Sequence, residues 1–316
     1  MLTFDKLSRK PTHFLRYTGL TVDQFEALMV PLRPAVEEAR TNRLSRPNRQ
    51  RAVGGGGQYS LALEDRLLMA LCYHRLYLTQ SLLGYLFDLA ESNVCRNIQE
   101  LRPSLTTVLP VPERLLSRVV DTAKRIGTIE EFAKKFPDLK AIVDATEQPV
   151  QRPQEKKKRD AHYSGRRKRM TKKRQVTTTP AGLILDQTPG VPGSVHDFTL
   201  FKEYYRKSPP FAELLRRTVG YIDSGYQGIA DFLPTECSVR PIQRARRNHP
   251  LTENQKKLNS LRSSTRIRVE HALSRIKKYR IAAEVYRGAE SAYDAHMNVV
   301  AGLVNLRTLA QRGITL

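Results

Sequence analysis

Three acidic side chains have the chemistry and setting to hold metal ions against a phosphodiester: Asp144, Asp223 and Glu270. Asp144 closes the apolar run Ala141-Ile142-Val143, and Asp223 closes Val219-Gly220-Tyr221-Ile222. Each reads as an acid at a strand end. Glu270 lies in a helical pattern, Arg266-Ile267-Arg268-Val269-Glu270-His271. Magnesium takes hard oxygen ligands in octahedral geometry. Two such ions roughly 3.5–4 Å apart can activate the attacking oxygen and stabilise the leaving oxygen of an in-line displacement. Carboxylates from separate elements must then converge, and without the cations they would repel one another. Taken singly, each acid also fits a structural role, as a strand end before a turn or a surface helix position. The joint pattern is what points to chemistry.

The elements around these acids must place them together. Arg266, Glu270 and Lys277 are four and seven residues apart, which at about 100° per residue puts them in one stripe of a helix. Ala272, Leu273 and Ile276 form the neighbouring apolar stripe, suited to packing on a sheet. Glu147 is set aside, because three positions along a strand from Asp144 it points to the opposite face. Asp197, in Gly193-Ser194-Val195-His196-Asp197, reads as an N-cap or first-turn acid. His196 fits either a group approaching the site or an ordinary packing histidine.

Lys and Arg total 54 against 31 Asp and Glu, a net charge of +23 in 316 residues. Such an excess attracts a polyanion at long range and neutralises phosphates on contact. The charge is clustered. One cluster runs from Arg152 to Arg174 and includes Lys157, Lys158, Arg166, Arg167, Lys168 and Arg169, beside the Asp144 strand. It reads as a loop carrying positive charge to the scissile phosphate, or as a solvated loop. A further cluster is Arg240, Arg244, Arg246 and Arg247. An earlier stretch carries Arg43, Arg46 and Arg49 and ends in Gly54-Gly55-Gly56-Gly57. It cannot bury a core and reads as a basic arm following the DNA backbone or a minor groove, or as a linker.

Cys72, Cys95 and Cys237 form no CxxC pair, and the seven histidines lack metal-ligand spacing. No apolar run approaches the ~20 residues needed to span a bilayer. No signal-peptide pattern opens the chain, so a cytoplasmic, nucleoid-associated location and no membrane partner are expected.

Residues 21–39 read as a helix capped by Thr21 and Asp23. Residues 60–109 read as three helices, capped at Ser60, Thr79 and Ser92. Val94, Ile98 and Leu101 of the third face inward, and Asn93, Arg96, Asn97 and Glu100 face outward. A short helix, a tight turn and a helix exposing Asn and Arg is the plan of a helix-turn-helix reader, with Asn93, Arg96 and Asn97 suited to base edges. The alternative is a plain three-helix bundle. Leu109-Pro110-Val111-Pro112 marks a boundary. The expected division is a helical DNA-binding domain at 1–112 and a catalytic domain at 113–316. Helices are expected at 113–125 and 128–135. Strands follow at 139–145, 175–179, 183–188, 219–223 and 238–242, and helices at 197–206, 211–217, 252–280 and 291–311. The fold class is α/β with a mixed sheet, preceded by an all-α helix-turn-helix domain.

Several linked motifs carry a resemblance. Val143-Asp144-Ala145-Thr146-Glu147-Gln148-Pro149-Val150, His162-Tyr163-Ser164-Gly165 and Pro192-Gly193-Ser194-Val195-His196-Asp197 resemble bacterial DDE-type insertion-sequence transposases related to Harbinger elements. Asp223-Ser224-Gly225-Tyr226-Gln227-Gly228, the Glu270 helix and the segments around Leu63–Leu67 and Thr79-Gln80 continue the match. The resemblance implies an RNase H-like catalytic core and two Mg²⁺ or Mn²⁺ ions per site. Its three acidic positions fall on Asp144, Asp223 and Glu270, so an active enzyme is expected. Of a related Tyr-Arg-Glu-Lys signature, Arg266, Glu270 and Lys277 fit, but the tyrosine position is Ser263.

The expected function is a transposase acting on double-stranded DNA. It would bind the terminal inverted repeats of its own element, cut, and join the freed 3′-OH to target DNA as a homodimer on paired ends. The rivals are a DDE nuclease without strand transfer, a transposase-derived DNA-binding regulator and a basic protein that coats nucleic acid.

Overall fold

The computed structural model describes residues 1–45, 59–117, 140–222, 225–226, 228–235, 237–241 and 250–313; the side chains of 239–241 and 261–268 are outside the description. The described residues pack as two units. One comprises Met1–Pro110, Lys278–Ala282 and Ala295–Leu316, the other Val111–Lys277 and Ala283–Asp294. The sequence reading carried the second domain through to residue 316. The packing instead gathers most of the C-terminal helix, Tyr293–Ala310, with the N-terminal helices.

In the helical unit, α1 (Phe4–Ser8), α2 (Pro11–Thr18) and α3 (Val22–Leu44) are followed by α4 (Leu63–Leu76), α5 (Gln80–Phe87) and α6 (Glu91–Val108). Thr21 starts α3 with a reciprocal capping box. Its hydroxyl accepts from Gln24 N at 3.2 Å and its N–H donates to Gln24 Oε1 at 3.1 Å. Phe14, Phe25, Leu28, Leu67, Leu71 and Phe87 are fully buried. The Phe4 ring stacks on Phe25 at 4.8 Å between centroids. Thr79 caps α5 by accepting from Leu82 N at 3.2 Å. Asp88 then takes a left-handed conformation at φ 55°, and the chain turns into α6. Gly84 permits that tight turn, since a Cβ there would stand 2.5 Å from Leu89 O. The caps expected at Ser60 and Ser92 are instead Ala62 and Ala90, neither with a side-chain bond.

The α/β unit carries one mixed sheet. Its strands are β1 (Lys140–Pro149), β2 (Tyr163–Ser164), β3 (Arg169–Thr178), β4 (Ile184–Gln187), β5 (Val191–Pro192), β6 (Val219–Ile222) and β7 (Val239–Pro241). Its helices are α7 (Lys156–His162), α8 (Asp197–Lys207), α9 (Pro209–Arg217), α10 (Ile229–Phe232) and α11 (Glu253–Lys277). The path runs β2-β3-β1-β6-β7, with β4 and β5 also on β3. β3 is antiparallel to β1 and β4, whereas β6 runs parallel to β1 and β7 parallel to β6. An antiparallel hairpin set joined to parallel crossover strands in this order is the RNase H-like arrangement. Ala141, Val143 and Ile222 enter a core with Phe201, Phe211, Leu214 and Leu215 of α8 and α9. Ile142, pointing the other way along β1, is fully buried, and α11 packs on β1, β3 and β6.

One expectation is corrected here. The basic stretch from Arg152 to Arg174 is not one loop, because Lys156–His162 is helical and β3 begins at Arg169. Lys172, Lys173 and Arg174 are buried, since side chains that pair inside the fold can occupy a central strand despite their charge. Leu82 of α5 is 44% exposed. The helices expected at 113–125 and 128–135 lie mostly outside the described residues.

Candidate active site and exposed helix face

β1 outruns its neighbour β6. It pairs with β6 over Lys140–Val143 and with β3 over Ile142–Pro149. Between Val143 and Pro149, whose carbonyl accepts from Tyr286 N at 2.9 Å, one edge of β1 has no partner strand among the described residues. A cleft of about 340 Å³ opens there, lined by Asp144, Glu147, Asp197 and Glu270 with Arg166, Arg167 and Lys277. Asp144 comes from β1, Asp197 from the first turn of α8 and Glu270 from α11, where Val269 and Ala272 on either side are buried. Asp144 is half-buried and its Oδ1 accepts from Ala145 N at 2.8 Å.

Asp223 lies outside the described residues. Its neighbours are placed: Ile222 pairs with Val143, the residue before Asp144. A Cβ on Gly225 would stand 3.8 Å from Asp197 Oδ2. Among the described residues no three His, Cys, Asp or Glu side chains form a metal-holding group. The donor set facing the cleft is nevertheless carboxylate oxygen from separate elements, which suits a hard divalent cation.

The reading of Glu147 is corrected. It lines the same cleft as Asp144, although the two differ by an odd number of positions along β1. Alternation separates side chains onto two faces, but the cleft lies along an unpaired edge, which residues of both faces can reach. Asp197 was read as a first-turn acid, which it is, with His196 as the N-cap accepting from Phe198 N at 3.3 Å. Sequence reasoning missed that Asp197 also enters the cleft.

The cations divide into two kinds. Arg166 and Arg167 are exposed on the cleft, and Lys157, Lys158, Lys168 and Arg169 are exposed nearby in sequence. Lys277 is held below the usual lysine range, by partial burial first and then by Arg167 and Arg166, with Asp144 pulling the other way. The side chain of Arg266 is outside the description, as are residues Arg46 and Arg49 of the basic arm.

On α6 the outward face differs from the expected one. Arg96 is exposed, with Ser92 and Gln99 one turn to either side, and Asn93 Oδ1 accepts from Arg96 at 2.9 Å. Asn97 is corrected to a buried residue, 8% exposed. Its Oδ1 accepts from Arg66 Nε at 2.6 Å and its amide donates to Asn93 O at 2.8 Å. Arg43 is exposed at the end of α3 and pairs with Glu100. No described helix is long and apolar enough to cross a membrane.

Comparison with known proteins agrees with both regions. Residues 143–305 match the family described as DDE superfamily endonuclease, and residues 59–110 match the helix-turn-helix of DDE superfamily endonuclease. A relative from Microchaete diplosiphon, "Probable transposase for insertion sequence element IS702", is 30% identical over 256 residues, 79% of this chain and 82% of the relative. Another from Streptomyces albus G, "Putative transposase for insertion sequence element IS112", is 26% identical over 307 residues, 96% of this chain and 97% of the relative. No solved structure matches the chain. With a helix-turn-helix, a mixed sheet and a carboxylate cleft at the end of its first strand, the chain belongs to the transposase family of DDE superfamily endonucleases.

Proposed function

We propose that the protein excises and inserts its own insertion sequence, cutting a phosphodiester at the element end and joining the freed 3′-OH to target DNA. The observation that carries this reading is the convergence of Asp144 and Glu270, from different elements, on one cleft shared with Arg166, Arg167 and Lys277. Asp144 and Glu270, with Asp223, would hold two Mg²⁺ or Mn²⁺ ions. Bound there, the ions would supply charge stabilisation to the attacking and leaving oxygens. The chain's own cations would hold the DNA strand by its phosphates, Arg166 and Arg167 by bidentate contact and Lys277 as a point charge.

Recognition of the terminal inverted repeats falls to α6. Arg96, exposed and oriented by Asn93, is the side chain suited to a guanine edge, with Ser92 and Gln99 beside it on the same face. Two element ends need two active sites, so a homodimer assembled on DNA is the working form.

The test is cleavage of a labelled duplex carrying the element's own end, with Mg²⁺ or Mn²⁺, followed by a strand-transfer assay. Wild type should cut at the end and join, while Glu270→Gln and Asp144→Asn should bind the duplex without cutting. Cutting without joining would reduce the reading to a nuclease. Specific binding with no cutting by wild type would leave a DNA-binding regulator.

A further inference from the structure

Lys173 is buried beside the cleft, with only 9% of its side chain exposed. Along β3 successive side chains alternate. Lys172 and Arg174 turn to the ring of Tyr293, at 4.8 and 5.6 Å, and Lys172 also pairs with Glu290 at 3.0 Å. Lys173 turns to the other face, where three oxygens meet its ammonium: Val195 O at 2.6 Å, Asp197 Oδ1 at 2.7 Å and Glu147 Oε1 at 3.8 Å. The ammonium donates a hydrogen bond to the Val195 carbonyl and forms ion pairs with the two carboxylates. Glu147 is fixed from its other oxygen as well, accepting from Thr171 Oγ1 at 2.8 Å.

The segment Gly193–Asp197 is shaped for this contact. Gly193 N donates to Thr171 O at 2.9 Å, and a Cβ on Gly193 would fall 2.0 Å from Thr171 Oγ1. Ser194 N donates to Ala161 O at 3.2 Å. The run is thus fastened to Thr171 of β3 and to Ala161 of α7, and it delivers the Asp197 carboxylate into the cleft at the start of α8.

Four carboxylates line the cleft among the described residues: Asp144, Glu147, Asp197 and Glu270. Like charges at this density disfavour one another. A buried ammonium is itself costly unless it is paired. Lys173 meets both needs by binding two of the four. We propose that Lys173 is a positioning residue, an internal counter-ion that holds Glu147 and Asp197 to the scaffold and thereby tunes the charge of the cleft in which Asp144 and Glu270 would meet divalent ions. The assignment rests on the carboxylate-cleft reading of the site. Lys173 touches neither substrate nor metal in this role. It acts through Asp197 and Glu147.

The test is thermal melting of the full chain titrated with Mn²⁺, with no DNA and no turnover. Lys173→Met should melt below wild type without metal, because two carboxylates lose their cation. It should also bind Mn²⁺ with a half-saturating concentration about tenfold lower, as expected for removing one positive charge a few ångströms away. Lys173→Arg should return the half-saturation toward wild type. Asp197→Asn, which keeps the fold if Lys173→Met does not, should raise it, because Lys173 then has surplus charge. Half-saturation at the wild-type value in whichever of Lys173→Met and Asp197→Asn folds would overturn the proposal. Glu270→Gln separates the two levels. If it abolishes the Mn²⁺ response while the Lys173 and Asp197 variants match wild type, the counter-ion role fails and the cleft reading stands. A wild-type response in Glu270→Gln removes the cleft reading and the proposal with it.

Discussion

Each unit of the molecule buries a cation beside a candidate binding surface, and the two ion-pair groups leave opposite residual charge. In the helical unit Arg66 is 3% exposed. Its guanidinium lies 3.6 Å from the Tyr59 ring centroid, donates to Asn97, and stands 3.6 Å from Glu100 Oε2. Arg43 shares the same carboxylate, which also accepts from the Tyr59 hydroxyl at 2.7 Å. Burial works to raise Glu100, but Tyr59 and Arg43 outweigh it and hold the carboxyl below its usual range. Two cations share one carboxylate there. In the α/β unit one lysine serves two carboxylates. The Arg43–Arg66–Glu100 group is therefore left with surplus positive charge behind the helix that would lie on DNA, and the Lys173–Glu147–Asp197 group with surplus negative charge beside the cleft.

The largest effect expected from breaking this comparison is at the cleft. Glu270→Gln keeps the size of an exposed side chain but removes one hard ligand. Cleavage should fall by about a thousandfold or more, the loss of several kcal/mol of transition-state stabilisation. Melting without metal should be unchanged. Residual cleavage within tenfold of wild type would refute the role of Glu270. At the other pole, Arg66→Met removes a buried cation and should cost about 3 kcal/mol, because Asn97 and Glu100 lose their partner. Urea unfolding measures this. Arg66→Lys should recover little, since an ammonium offers no planar fork to bridge Asn97 and Glu100 beneath the Tyr59 ring.

A third buried polar group of the helical unit sharpens the contrast, because it is kept neutral. His74 Nδ1 donates to Ala70 O at 2.7 Å, so its Nε2 must accept, and His296 Nδ1 donates to it at 3.1 Å. His296 Nε2 then accepts from Arg102 at 3.3 Å. This chain of bonds has no room for a further proton. Burial pushes His74 down to about 4, and burial with the neighbouring His74 and Arg102 pushes His296 to about 2. The unfolded chain titrates near the ordinary histidine value of about 6.5. As pH falls below that value the unfolded state takes up protons first. Stability is therefore fully present above about pH 6.5 and is lost progressively as pH falls, by about 3 kcal/mol down to about pH 4 from His74 alone, with His296 adding to the loss and carrying it on toward about pH 2. Urea unfolding of wild type and His74→Leu across that window checks the sign. The wild-type slope should be reduced in the variant, and equal slopes would exclude His74 as a source of it.

The sequence made some of this architecture legible and hid the rest for identifiable reasons. Asp144 could be found because an apolar run ended in an acid, and Glu270 because the apolar stripe at Ala272, Leu273 and Ile276 fixed its helix face. Glu147 was hidden because the cleft runs along the edge of β1 beyond its pairing with β6, where side chains of both faces reach it. β3 was cut short because Lys172, Lys173 and Arg174 read as solvated charge. Their partners Glu290, Glu147, Asp197 and Gln187 lie at sequence distances that no local pattern spans. α1 and α2 passed unread.

The smallest effect expected separates two neighbouring residues of α6. Val94, Asn97, Ile98 and Leu101 sit at i, i+3, i+4 and i+7, the spacing of a buried helix stripe. Asn97 occupies it as a polar member because Arg66 on α4 is buried opposite. Arg96, one position earlier, turns about 100° away to solvent. Arg96→Ala should weaken binding to the element end by about 1–3 kcal/mol and relax preference at one base pair, with unfolding unchanged. Asn97→Ala should do the reverse. It leaves the Arg66 guanidinium short of an acceptor and costs about 1–3 kcal/mol of stability, while the base preference of the folded protein stays as in wild type. Binding measured on a panel of single base-pair substitutions, beside urea unfolding of both variants, decides the matter. A changed base preference in Asn97→Ala with wild-type stability would mean that this helix meets DNA through the face here assigned to the interior.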